Sequence, residues 1–151
     1  MSDKDNSCYE LLTFKLGQQE YAVDIMSVRE IRGWTKTTPM PHAPDFMRGV
    51  INLRGTVLPV MDLASRLGLP PIETTARNVI IVVKCEKGLS GLLVDAVSDI
   101  IEVPDDDMQA PPDLGSETDG STISALSLVE DRMIRILDLE NVMIKAESFA
   151  A

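Results

Sequence analysis

Reactive side chains are scarce in this 151-residue chain, which holds one histidine, two cysteines and one tryptophan. A zinc site takes about four N or S ligands, and His42 with the distant Cys8 and Cys85 cannot supply them. His42 lies in the proline-punctuated loop Pro39-Met40-Pro41-His42-Ala43-Pro44, a solvated setting without a partner beside it. Two cysteines make no disulfide framework. Positive charge is also short: 14 Lys plus Arg against 24 Asp plus Glu leave a formal net charge of −10. Without a basic surplus to displace counterions, a nucleic-acid binder is disfavoured, and so is adsorption to an anionic membrane. Aromatics make up 4% of the chain, so its core must be aliphatic. The longest unbroken apolar run is Val79 to Val83, far below the ~20 residues of a membrane-spanning helix. The opening Met1-Ser2-Asp3-Lys4-Asp5-Asn6-Ser7 is polar and acidic and lacks an apolar signal segment. These absences lead to the expectation of a soluble, reduced, cytosolic protein.

Catalytic motifs are equally thin. No Gly-Lys dipeptide, G-x-G-x-x-G or G-x-S-x-G occurs, so phosphate-cradling loops and nucleophile elbows are excluded. Asp105-Asp106-Asp107 invites a calcium reading, but the downstream glycines fall out of EF-hand register, leaving a solvated acidic loop. No metal or cofactor is expected.

What the chain does contain is many short apolar segments cut by Gly, Pro and Asp, the pattern of short strands. Leu12, Phe14 and Leu16 alternate, Gly17-Gln18-Gln19 turns, and Tyr21, Val23 and Ile25 alternate again, which predicts a hairpin. A third strand is expected at Val28 to Arg32, then a loop with three prolines from Gly33 to Asp45, and a helical turn at Asp45 to Arg48. Val50 to Leu53 and Thr56 to Met61 flank Arg54-Gly55 as a second hairpin. Asp62 caps a short helix, Leu63 to Leu67, which Gly68 stops. The second half repeats the order: strands at Asn78 to Cys85, Leu89 to Val94 and Val97 to Val103. A loop from Pro104 to Thr122 follows, with a helical turn near Asp105 to Met108. The hairpin Ile123 to Val129 and Arg132 to Leu137 comes next, and Asp138 caps a closing helix, Leu139 to Lys145.

This order is an internal duplication. Val57-Leu58-Pro59-Val60-Met61-Asp62-Leu63 matches Met133-Ile134-Arg135-Ile136-Leu137-Asp138-Leu139, and Tyr21-Ala22-Val23-Asp24 matches Leu92-Leu93-Val94-Asp95. An aspartate follows an apolar strand in all four places. Such residues accept nearby backbone N–H groups, so they are assigned to the fold. A small carboxylate enzyme using Asp62 and Asp95 is the weaker alternative. Short strands expose edges unless a sheet curls shut. The expected fold is therefore mostly β, two small five-stranded barrels side by side with a few short helices. The expected boundaries are a flexible tail at 1–8, one domain at 9–145 and a frayed end at 146–151. Its halves, 9–77 and 78–145, are free to exchange strands.

Three segments resemble the CheW-type chemotaxis coupling family, also found as the regulatory domain of the histidine kinase CheA. They are Tyr21 to Ile25 running into Val28-Arg29-Glu30-Ile31-Arg32; Met47-Arg48-Gly49-Val50-Ile51-Asn52-Leu53-Arg54-Gly55 with Leu58 to Leu63; and Gly91 to Ile100. The Gly-Val-Ile-Asn-Leu-Arg-Gly run is the most specific. The resemblance implies SH3-like barrels, no enzymatic activity, and an adaptor between the cytoplasmic tips of transmembrane chemoreceptors and a CheA-type kinase. It implies a cytoplasmic location at the receptor array and no direct membrane insertion. A coupler of a non-flagellar sensory pathway fits the same pattern.

By the same resemblance, Val28, Glu30, Gly49, Val94 and Val97 map to a receptor-binding groove between the barrels. Strand valines are ordinarily core, and glycine also serves positive φ or close approach, so a structural reading stands beside each. Arg54, Gly55, Thr56 and Val57 map to the kinase-binding surface; Thr56 stands where the family more often has an apolar β-branched residue. Glu30 and Arg54 lie among apolar neighbours, where a charge needs a partner, and a salt bridge between them is expected.

Overall fold

A computed structural model describes residues 8–86, 88–110 and 122–147, the last four by backbone alone. Most of the expected tail at 1–8, the middle of the 104–122 loop and the end beyond 147 lie outside the described residues. Among the described residues there are ten strands: β1 (Cys8–Leu16), β2 (Gln19–Asp24), β3 (Val28–Gly33), β4 (Met47–Leu53), β5 (Thr56–Asp62), β6 (Val79–Cys85), β7 (Gly88–Val94), β8 (Ala96–Pro104), β9 (Ile123–Val129) and β10 (Arg132–Leu137). Two helices, α1 (Leu63–Arg66) and α2 (Leu139–Glu147), follow β5 and β10. The helical turn expected at Asp45 to Arg48 is instead a single turn in which Met47 N–H donates to Pro44 C=O at 2.9 Å, and β4 starts at once.

The strands form two five-stranded sheets, ordered β8-β1-β2-β10-β9 and β3-β6-β7-β5-β4. The halves of the duplication therefore exchange strands. The second sheet is continuous in sequence, from β3 to β7, and sits between the β1–β2 hairpin and the β8–β10 strands of the first. Each sheet carries one parallel pairing, β2 with β10 and β5 with β7, at equivalent places. Each is also closed by the same device. The chain leaving β3 bonds back to β4 through Thr38 and Val50, in both directions at 2.8 and 2.9 Å. The chain leaving β8 does likewise through Gln109 and Leu126. Both edge pairs are thereby linked, and the sheets curl into small barrels.

Burial follows from this placement. Leu12, Phe14, Leu16, Tyr21 and Val23 of the first sheet share one apolar cluster with Ile80 to Val83 and Leu92 to Val94 of the second. The opposite faces of β1 and β2, with Leu11 and Ala22, join Val103, Ile134 and Ile136 inside the first barrel. Strands β1, β2, β6 and β7 are thus covered on both faces, which is why β6 reads as an unbroken apolar run. β3, in contrast, alternates between half-buried and exposed residues. Along the seam between the barrels lies this shared cluster, on which Val28 and Val97 pack while only partly buried.

The four strand-ending aspartates all accept backbone N–H groups: Asp24 from Met26, Asp62 from Ser65 and Ile72, Asp95 from Gly17 and Asp138 from Asn141. Asp62, almost fully buried, is also paired with Arg48 at 2.9 Å. At the end of α1, Gly68 adopts φ +86° while Leu69 N–H donates to Ala64 C=O and Gly68 N–H to Ser65 C=O, the paired bonds of a glycine-ended helix.

Replacing Asp62 with Asn keeps an oxygen for the helix cap but removes the charge facing Arg48. A loss of stability on the order of 2 kcal/mol is expected, read by thermal or urea unfolding; unchanged stability would overturn the structural role. Gly49 has φ +134°, and a Cβ there would stand 2.2 Å from the Thr38 carbonyl oxygen. Gly49→Ala is expected to cost about 3 kcal/mol. Gly33→Ala, with nothing within 4 Å, is expected to stay within about 0.5 kcal/mol of the parent.

Candidate partner-binding surfaces

The β4–β5 hairpin turns on two residues, Arg54 at φ +50° and Gly55 at φ +89°, between the paired Leu53 and Thr56. Positive φ at both positions matches the twist of the flanking strands. Glycine suits it without strain, whereas Arg54 is held in a left-handed conformation that disfavours side chains. Asn52 steadies the turn, its Oδ1 accepting from Gly55 N–H at 2.8 Å.

From this tip Arg54 reaches across to β3, where its Nη2 donates to Glu30 Oε1 at 2.6 Å. The other oxygen of Glu30 accepts from Arg32 Nη1 at 3.3 Å. The Arg54 hydrogen bond is the main reason the Glu30 carboxyl is held below its ordinary value; partial burial opposes it, and Arg32 adds to it. The same bond raises Arg54. The two partners are unequally shielded. Glu30 is 25% exposed and Arg54 69%, so the expected desolvation applies to the carboxylate and not to the guanidinium. An exposed pair adds little to stability; its effect here is to fix where the hairpin tip stands relative to β3.

Arg54, Gly55, Thr56 and Val57 are all exposed, Val57 at 68%. The residues mapped to a receptor groove separate into two sets. Val28 and Val97 are half-buried, packed on the large core while retaining accessible surface, and Glu30 joins them beside Arg54. Val94 is fully buried and offers a partner nothing to touch, because β7 is covered on both faces. Gly49 is buried as well, and the space its missing side chain leaves is taken by the Thr38 carbonyl of the closing bridge. Both are therefore corrected from contact residues to residues of the framework.

Several apolar residues outside the mapped set are exposed, among them Met26, Ile31, Ile100 and Met133. Ile31 is 47% exposed, in phase with the exposed Arg29 and Gly33 and out of phase with Val28. An isoleucine on the wet phase of an alternating strand is the signal that marks it. A groove of about 780 Å³ runs past the β1–β2 turn, residues 69–73 and Asp95-Ala96, and none of the mapped residues lines it. Among the described residues no group of His, Cys, Asp and Glu is placed to hold a metal ion. No helix among them is long and apolar enough to cross a membrane.

Residues 10–147 match the family model described as the CheW-like domain. Over 142 residues the chain is 51% identical to the probable chemotaxis protein CheW of Rhizobium etli, covering 94% of this chain and 92% of that one. It is 50% identical over 146 residues to the chemotaxis protein CheW of Rhizobium meliloti, with 97% and 94% covered. The crystal structure of the scaffolding protein TtCheW from Thermoanaerobacter tengcongensis superposes with a TM-score of 0.81 at 30% identity, over 87% of this chain and 90% of that one. With two exchanged five-stranded sheets, a salt-bridged hairpin and this similarity along almost its whole length, the chain belongs to the CheW-like family of chemotaxis scaffold proteins, which are adaptors and not enzymes.

Proposed function

We propose that this chain couples the cytoplasmic tips of transmembrane chemoreceptors to a CheA-type histidine kinase, acting in the cytoplasm at the receptor array. The observation that carries the reading is the Glu30–Arg54 pair, which holds an exposed hairpin tip, Arg54 to Val57, in one orientation on a chain of the CheW-like family. The kinase contact is that tip, with Val57 as its apolar anchor and Ile31 as an added one. The receptor contact uses Val28, Glu30 and Val97, with Val94 and Gly49 shaping the backbone beneath. Apolar residues rimmed by charge suit the amphipathic helices of a receptor tip. Signalling then needs no bond to be made or broken. Receptor states that contact the scaffold differently shift the kinase equilibrium by their difference in binding free energy.

Arg54→Ala is expected to weaken capture of a CheA-type kinase at least tenfold while leaving the circular dichroism spectrum unchanged, whereas Lys36→Ala stays within twofold. Equal effects of the two would defeat the reading. The pair also sets a pH limit. A carboxyl lowered on folding contributes above its unfolded value, about 4.3 for glutamate, and that contribution is lost as pH falls through the lower folded value. The Glu30 side-chain carboxyl, followed by ¹³C NMR, is therefore expected to titrate below its ordinary value in the parent and to rise in Arg54→Ala. A parent titration at or above the ordinary value would contradict the bond.

A further inference from the structure

The duplication makes one barrel a reference for the other. Arg48 and Ser124 are repeat equivalents, since Met47 pairs with Met61 and Gly49 with Val60 just as Ile123 pairs with Leu137 and Ala125 with Ile136. Asp62 and Asp138 correspond in the same way: their N–H groups donate to the equivalent carbonyls of Phe46 and Thr122. In the barrel of β3 to β7 the place beside the aspartate is full. Arg48 donates to Asp62 and to the Ile72 carbonyl, and Ile72 N–H returns a bond of 2.9 Å to the same carboxylate. A strap of chain, Leu69 to Ile72, follows α1 because Gly68 stops that helix.

In the other barrel, among the described residues, nothing takes the place of either filler. Ser124 is too short to replace an arginine and donates its hydroxyl to Ile136 C=O at 3.3 Å. Helix α2 runs on to Glu147, through positions where α1 has already ended and its strap has begun. A groove of about 470 Å³ stands open there. Its floor is apolar, with Leu11, Ile136 and Leu139 buried. Its rim carries Asp24, Asp138 and Glu140, and among the described residues no lysine or arginine lines it. Asp138 accepts from Asn141 N–H and Asn141 Nδ2 at 3.3 and 3.0 Å, both neutral donors.

We propose that this groove receives an extended segment of a partner protein that sets an arginine or lysine against Asp138, filling from outside the place that Arg48 and the strap fill from within the other barrel. Three carboxylates around an apolar floor complement a cation flanked by apolar residues. The flat guanidinium, which pairs with carboxylates at fixed geometry, makes arginine the better occupant. The proposal does not depend on which receptor or kinase the chain serves.

The test is a ¹⁵N NMR titration of the whole chain at low salt with the synthetic peptide acetyl-Arg-Leu-Pro-Pro-Ile-amide, which joins the strap sequence to an arginine. Shifts are expected at Ser124, Ala125 and Asp138. The dissociation constant should rise at least tenfold when citrulline replaces the arginine, and equally in Asp138→Asn, which keeps an oxygen to cap α2. Ser124→Arg supplies the missing side chain from within and should abolish the response. Should that variant not fold, the citrulline and Asp138→Asn arms still decide. The proposal is overturned if the citrulline peptide binds equally, if the shifts fall elsewhere, or if a folded Ser124→Arg binds as the parent does. Self-association that Ser124→Arg removes, with no response to the peptide, would give the groove to a second copy and also overturn it.

Discussion

The molecule depends on one apolar layer shared by two sheets. Strands β1 and β2 press their Leu12, Phe14, Leu16, Tyr21 and Val23 faces against the barrel formed by β3 to β7, and Phe14 and Tyr21 stack at 6.2 Å between ring centroids. Close-packed interiors of this kind deform little. The two barrels are therefore held as one body, and what they present to other molecules is left to the outer strands and turns. That division explains why the exposed candidates lie on β3, β5 and the Arg54-Gly55 tip, and why Val94, on a strand covered twice, does not.

A duplicated framework has been kept while its surfaces diverged. All four strand-ending aspartates retain their backbone bonds, and both barrels retain the closing bridge and the parallel pairing. The equivalent hairpin turns have also kept positive φ at both positions, Arg54-Gly55 in one and Glu130-Asp131 in the other, yet the charges they carry are opposite. Arg48 and Ser124 show the same divergence at the bulges beside Gly49 and Ala125. Conserving hydrogen bonds to the main chain fixes the scaffold, and side chains that point away from it are then free to change.

Local features were readable from the residues because their causes are local. The hairpins follow from period-two alternation, the helix starts from Asp62 and Asp138, and the stop of α1 from Gly68. The offset matches exposed the duplication. What pairs with what was not readable: Tyr21-Ala22-Val23 looks the same whether β2 lies beside a strand of its own half or beside β10. The burial of Val94 follows from that pairing and was hidden with it. Glu30 and Arg54 could be matched by charge and apolar surroundings, but the 69% exposure of Arg54 depends on a left-handed turn in which both Arg54 and Gly55 have positive φ. The acidic groove was invisible for another reason, since it arises from what Ser124 is not.

The interleaving of the strands has a consequence for synthesis. The five strands from β3 to β7 finish leaving the ribosome at Val94, and their barrel can close at once from neighbours in the nascent chain. The β1–β2 hairpin, made first, has to wait for β8 and β10 before its own sheet exists, and long-range pairing of this sort is slow. Until then its greasy outer face has a finished surface to rest on, so the barrel made second serves as the template on which the one begun first is completed.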